Sequence, residues 1–292
     1  MNQQIHFGAL EPEFREYASS RVAILPIPYE ATTTFLKGTR HGPRALLEAS
    51  PALEFYDEEL DTEPYRVGIH TCPEVDVHSH SGGQALAHIE EAAESLLADG
   101  KFVVGIGGEH TVTIGLVRAH ARRHPGLTVI QLDAHADLRD AYEGSPYNHA
   151  CVMRRILEIC PAVQIGIRAM DRLEVEHARA QGLSLYLAWH MRRDPSWLER
   201  ALTGIRGPVY VTVDLDVMDP ALLPAVGTPE PGGLGWYEAL EILRRIFERC
   251  QVVGLDLVEL RPRAGLEASS FIAAKLLYKL IGYRFGLALH RA

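Results

Sequence analysis

The chain has 292 residues, 47% of them hydrophobic and 23% charged, with a formal net charge of −9. That size and apolar share suit one large α/β core, and an acidic balance without a basic stripe excludes a nucleic-acid partner. No apolar run reaches the length of a membrane span, and the first residues lack the charged-then-apolar pattern of an export signal, so neither membrane nor secretion is expected.

Cys72, Cys151, Cys160 and Cys250 form no C-x-x-C pair and are expected to be reduced, mostly buried thiols of a cytoplasmic protein. Among fourteen histidines, His41, His78, His80, His120 and His124 stand in polar surroundings and are expected to be solvated.

In chain order, a strand is predicted at 21–28, then a loop over 32–43 whose Pro43 suits the first turn of a helix at 44–50. A short strand follows at 65–69. The helix at 84–99 has Leu86, Ile89, Ala93, Leu96 and Leu97 at helical spacing and ends at Gly100. Strand 102–106 runs through Gly107-Gly108-Glu109-His110 into a helix at 111–123. The central strand, 127–132, runs into Asp133-Ala134-His135-Ala136-Asp137, and a polar loop at 138–149 precedes a helix at 150–159. Strand 163–167 ends in Arg168; then come helix 172–180, strand 183–187 and helix 195–202. A β-branched strand from 209 ends in Asp214-Leu215-Asp216, and a Pro/Gly-rich loop reaches Gly235. Helix 236–248, strand 251–257 with Glu259 just beyond it, helix 269–281 and a tail over 285–289 complete the chain. No repeat or linker divides this alternation. It predicts one domain, 1–292, of three αβα layers around a mostly parallel central sheet, with ligands beyond the carboxyl ends of the strands.

Those ends carry the chemistry. Asp133, His135 and Asp137 alternate, and in extended backbone they would face one side about 6.6 Å apart. Asp214 and Asp216 repeat the pattern, and His110 ends a third strand. Asp219 before Pro220 reads as turn chemistry. Gly105-x-Gly107-Gly108 departs from the dinucleotide fingerprint, with His110 in place of its third glycine, so these glycines are read as room for close backbone approach. Two imidazoles and four carboxylates are too many for one tetrahedral zinc, contain no thiolate, and suit two bridged Mn²⁺ ions. Such a pair supplies hydroxide near neutral pH, so metal-assisted hydrolysis is the expected class.

With these motifs assembled, the chain resembles the ureohydrolase family of arginases and agmatinases. The matching residues are Gly107-Gly-Glu-His110, Asp133-Ala-His-Ala-Asp137, Asp214-Leu-Asp-Val-Met-Asp-Pro220 and Gly227-Thr-Pro-Glu-Pro-Gly-Gly233, beginning with Gly38-Thr-Arg-His-Gly-Pro43. Glu109 departs from the aspartate often found there. The resemblance implies two Mn²⁺ held by His110, Asp133, His135, Asp137, Asp214 and Asp216. The resemblance also implies that a metal-bridging hydroxide attacks the guanidinium carbon, with urea and an amine as products. It implies that His149 shuttles a proton to the leaving amine and that Glu259 orients the guanidinium. A carboxylate ending an apolar strand also suits a planar cation on general grounds, with helix capping as the alternative. A homo-oligomer, trimer or hexamer, is implied as well.

For the substrate tail, Asp140, Glu143 and Tyr147 in the loop before His149, together with Glu230, are expected to read a cationic amine. Arg139 is expected to pair with Asp140 or Glu143. Agmatine is the first expectation, N1-aminopropylagmatine the second, and arginine or guanidinobutyrate follow. A single-zinc deacetylase would need a His-His pair, which the sequence lacks. A catalytically silent metal-binding relative would not need His149 and Glu259.

Overall fold

The computed structural model describes residues 4–77 and 80–287. His78 and the end of the expected 285–289 tail lie outside them. Eight strands are present: β1 (Val22–Ile27), β2 (Ile69–Thr71), β3 (Phe102–Gly107), β4 (Thr128–Leu132), β5 (Ala162–Ile167), β6 (Ser184–Leu187), β7 (Pro208–Asp214) and β8 (Gln251–Val258). They form one sheet in the order β2-β1-β3-β8-β7-β4-β5-β6, and every pairing is parallel.

Parallel strands buried on both faces need apolar residues in both directions, and β1 shows it. Val22 and Ile24 pack into one cluster, against Leu46, Leu243 and Leu277, while Ala23 and Leu25 pack into another, with Leu86, Ile89 and Val117. Helices Gly42–Ala49, Trp236–Arg249 and Glu267–Gly286 cover the first face; Gly83–Ala98 and Val112–Arg123 cover the second. This is the expected three-layer α/β fold. Among the described residues no helix is long and apolar enough to cross a membrane.

Four local expectations change. The strand expected at 65–69 is a 3₁₀ turn, Pro64–Val67, and the strand starts only at Ile69. Pro64 favours the helical turn, and Gly68 reverses the chain with φ of 79°. The helix expected at 150–159 is a 3₁₀ turn, His149–Cys151, followed by a short helix, Val152–Ile156. The last helix takes in part of the expected tail and runs Glu267–Gly286. Its Lys279, nominally a polar-face residue, is buried on Asp57 and Glu59 at 2.8 and 2.7 Å, which extends the covered surface.

His120 is the fourth change. It is fully buried rather than solvated. Its Nδ1 lies 2.7 Å from the Leu116 carbonyl one turn back, and its ring meets Tyr210 edge-on. Gly254 makes the room, since a Cβ there would stand 2.1 Å from His120 Nε2. Burial pushes this imidazole down to about 4, so it stays neutral.

Candidate metal centre

The ligand-type side chains come from the carboxyl ends of β3, β7 and β4, which lie in the middle of the sheet on either side of β8. Behind β3 the backbone at Gly108 runs against β1's exit: Gly108 and Glu109 donate to the carbonyls of Ile27 and Tyr29 at 2.9 Å each, and a Cβ on Gly108 would stand 2.1 Å from the Tyr29 oxygen. The glycines therefore serve close backbone approach, as read from the sequence, and deliver His110 into the centre.

Asp133, His135 and Asp137 converge by a different route from the one their spacing suggests. β4 stops at Leu132. Beyond it the chain turns: the His135 amide donates to Asp133 Oδ1 at 2.6 Å, the Ala134 amide to Asp216 Oδ1 at 3.1 Å, and Asp137 is left-handed with φ of 53°. Glu259, just past β8, is left-handed too, with φ of 66°. Backbone strain of this kind collects where surrounding contacts aim a side chain.

Two groups of donor atoms result. His110 Nδ1 lies 3.0 Å from Asp133 Oδ2, 3.1 Å from Asp137 Oδ2 and 3.4 Å from Asp214 Oδ2. His135 Nδ1 lies 2.9 Å from Asp216 Oδ2 and 3.6 Å from Asp133 Oδ1. The triads His110/Asp133/Asp137 and Asp133/His135/Asp216 each have the compactness of an ion's ligand set, and they share Asp133, one oxygen facing each. Donors about 2.1 Å from one octahedral ion stand about 3 Å apart, which is the spacing seen.

The electrostatics agree. Burial and the neighbouring carboxylates Asp216 and Asp133 push Asp214 well above the carboxylate range, and burial with Asp133 pushes Asp137 up to about 6. Burial disfavours charge on the imidazoles as well, but the surrounding carboxylates outweigh it and raise His110, and raise His135 to about 12. The cluster thus holds more negative charge than it can bury alone, and it collects protons where cations would serve. His110 Nδ1 is buried with no hydrogen-bond partner of its own. The residues present therefore fit a pair of divalent ions.

Supporting contacts that sequence reasoning missed hold the donors still. His110 Nε2 lies 3.0 Å from Thr212 Oγ1, which donates to Asp256 Oδ1 at 2.6 Å. With that hydroxyl proton committed, Nε2 must carry the imidazole hydrogen, which leaves Nδ1 as the donor atom. Gln131 Nε2 donates to Asp133 Oδ2 at 2.7 Å. Arg168 donates to the carbonyls of Asp216 and Glu230 at 2.7 and 2.9 Å, tying the β7 exit to the Pro/Gly loop. Asp219 makes the expected turn, accepting from Ala221, Gly232 and Gly233. The available signal was a polar residue inside or just beyond an apolar strand, and it does not reveal its partner.

His149 stands at the cavity wall. Asn148 caps its 3₁₀ turn, its amide donates to Thr32 Oγ1 at 2.9 Å, and its Nε2 is 3.2 Å from Thr34 Oγ1. Glu109 is buried and accepts from Ala31, Thr32 and Thr111, so the departure from aspartate anchors the loop that carries both threonines. Glu259 Oε1 accepts from the His110 amide at 2.8 Å and lies 3.6 Å from His149 Nδ1. Burial opposes charge on His149, but Glu259 prevails and raises it to about 9.

The cavity above, about 290 Å³, is lined by Thr34, Tyr142, His149, Asp171, Glu174 and Glu230, along with the metal-type residues His135, Asp137, Asp214 and Asp216. Glu230, expected from the sequence at the substrate tail, lines this cavity. Asp140, Glu143 and Tyr147 are not on this wall. Asp140 points outward to Arg155 and Arg154, at 2.6 and 3.6 Å. Glu143 is exposed at the tip of a tight hairpin, with φ of 47°. Tyr147 packs toward Gly82 and Arg118. Arg139 pairs with neither loop acid; it stacks on Tyr142 at 4.2 Å and lies 3.5 Å from Asp171.

A three-layer parallel sheet with a paired carboxylate–imidazole centre at the mouth of its middle strands defines a metal-dependent hydrolase. Comparison with known proteins identifies which kind. The arginase family model matches residues 20–282, and the chain belongs to that family. It is similar to the N(1)-aminopropylagmatine ureohydrolase of Synechocystis, 49% identical over 91% of this chain and 90% of that one. It is also similar to the agmatinase of Bacillus anthracis, 36% identical over 91% and 93%. The crystal structure of the agmatine ureohydrolase of Thermoplasma volcanium superposes with a TM-score of 0.87 at 28% identity, covering 100% of this chain and 98% of that one. The chain is accordingly an agmatinase-like ureohydrolase, an enzyme that cleaves a guanidino group at a carbon–nitrogen bond.

Proposed function

We propose that this ureohydrolase works with two Mn²⁺ ions and prefers N1-aminopropylagmatine, releasing urea and spermidine, with agmatine as its second substrate. The observation that carries the reading is the pair of ligand triads sharing Asp133 beneath a cavity with carboxylates on its wall. The order of the two substrates is supported by the higher identity to the Synechocystis relative than to the B. anthracis one, 49% against 36%.

His110, Asp133 and Asp137, with Asp214 beside them, would hold one ion, and Asp133, His135 and Asp216 the other. A bound pair supplies hydroxide near neutral pH and stabilises charge at the reacting carbon. Glu259 has one carboxylate oxygen committed to the His110 amide and His149, which leaves the other for the planar guanidinium. His149, kept charged at neutral pH by Glu259 and steadied by Thr34, is the proton donor to the departing amine. Asp171 and Glu230 take the role first given to Asp140 and Glu143: they face the far end of the substrate, where a second ammonium gains from carboxylates. Tyr142 lines the same wall with the Arg139 guanidinium stacked on its ring.

The test is urea release with Mn²⁺ from N1-aminopropylagmatine, agmatine, arginine, guanidinobutyrate and guanidinopropionate. An α-carboxylate brought beside these acids is repelled, so arginine should fall at least about a hundredfold below the leading substrate in kcat/KM. Arginine turned over equally well would overturn the tail reading alone. No urea from any of the five, with two metals bound, would overturn the proposed chemistry.

A further inference from the structure

At the opposite end of the sheet from the metal centre, the first residues of β1, β3 and β8 surround a second cavity of about 300 Å³. Arg21, Lys101, Arg123, His124 and Arg284 line it, with Phe102 and Phe285 between them, and among the described residues its lining contains no carboxylate. That is a local reversal of sign in a chain of net charge −9.

Three of the cations, Arg21, Lys101 and Arg284, are held in place by their neighbours. The Arg21 guanidinium lies 4.5 Å over the Phe285 ring, and that of Arg284 lies 5.2 Å from the same ring and 5.3 Å from Phe102. Lys101 Nζ is tied to the carbonyls of Tyr17 and Ser20 at 2.5 and 2.7 Å, so its charge stays in place. Among the described residues, Arg21, Arg123 and Arg284 make no ion pair with any acid, whereas the neighbouring Arg122 pairs with Glu90 and Glu94. Arg284 Nε is buried without a hydrogen-bond partner. Burial, and then Arg21 itself, push Arg284 below the usual arginine range.

We propose that this cavity is a binding site for a phosphate group. Planar guanidinium forks match phosphate oxygens with paired, charge-assisted hydrogen bonds. A cluster of this much positive charge favours an anion of charge −2 over a carboxylate, and the aromatic walls hold two of the forks in place before it arrives. The phosphate is either the free ion or one carried on a small organic molecule, and the site is independent of the guanidine chemistry at the other end of the sheet.

The test is calorimetric titration of the metal-loaded protein with inorganic phosphate and, separately, with AMP, at matched ionic strength with chloride as the control. Saturable binding of one equivalent is expected, at least about tenfold weaker in Arg284→Gln and in Arg123→Gln, with urea release unchanged in both. Tighter binding of AMP than of phosphate supports an organic phosphate as the source; equal binding supports the free ion. Binding that is absent, or that persists unchanged in both variants as it would at the metal centre, overturns the proposal. So does a variant whose only change is in oligomeric mass, because the arginines would then serve contact between copies.

Discussion

Thr212→Val is the sharpest probe of the metal centre, because the substitution keeps the shape of the side chain and removes the hydroxyl that accepts from His110 and donates to Asp256. Thr212 Oγ1 is 3.0 Å from His110 Nε2 and passes its own proton to Asp256. In the variant, a buried N–H loses its only acceptor, which costs about 1–3 kcal/mol. At about 1.4 kcal/mol per tenfold, that weakens the ion at His110 by roughly 5- to 150-fold, in line with the roughly 10- to 100-fold typical of groups that orient metal-bound histidines. The triad at His135 does not touch Thr212, so its ion should stay. Manganese added back to metal-depleted protein against a competing chelator should therefore bind in two separated steps, where the parent shows tight uptake of both. Urea release should track the weaker step, and Thr212→Ser should restore both. Parental affinity for both ions in Thr212→Val would refute the tautomer argument.

His149→Asn should lower kcat by about 10²–10⁴-fold with metal content unchanged; loss of metal on elemental analysis would make His149 a ligand instead. Because the folded protein raises His149 to about 9, its proton is present below that pH and lost above it, so the parent's kcat should decline through about pH 9 and the variant should lack that limb. Its contribution to stability has the same sign, full below the unfolded value near 6.5 and lost as pH rises through about 9. Lys279→Met should destabilise the fold by about 3–5 kcal/mol in denaturant melts, since it strands the buried Asp57 carboxylate without its cation; a shift smaller than about 1 kcal/mol would refute a structural role for this ion pair. Asp171→Ala and Glu230→Gln should each shrink the preference for the aminopropyl substrate over arginine, whereas Asp140→Ala and Glu143→Ala should leave that ratio alone; the reverse pattern would return the tail to the 138–149 loop.

Much of this protein is written locally. The alternation of apolar strands and amphipathic helices is a short-range pattern, and it sufficed for a three-layer α/β fold. The donor set was legible for the same reason: carboxylates and imidazoles at the ends of buried strands have little to do there except bind something, and glycines such as Gly108 mark where backbones meet. What depended on partners distant in sequence was not legible. Only the sheet order makes β3, β7 and β4 neighbours around β8, because a strand's own residues do not say which strand lies beside it. The spacing of Asp133, His135 and Asp137 suggested an extended strand, yet the chain turns after Leu132, with the Ala134 and Ala136 amides held by Asp216 and Ala169 and Asp137 in the left-handed region. The loop acids Asp140 and Glu143 had the right chemistry, but Arg154, Arg155 and the hairpin turn them outward, while Asp171 comes to the wall from the start of another helix. His120 reads as a solvated residue in the sequence, and nothing there singles out Lys279, because burial of a polar group depends on a partner or a gap supplied by tertiary packing, here the missing side chain of Gly254 and the Asp57 carboxylate.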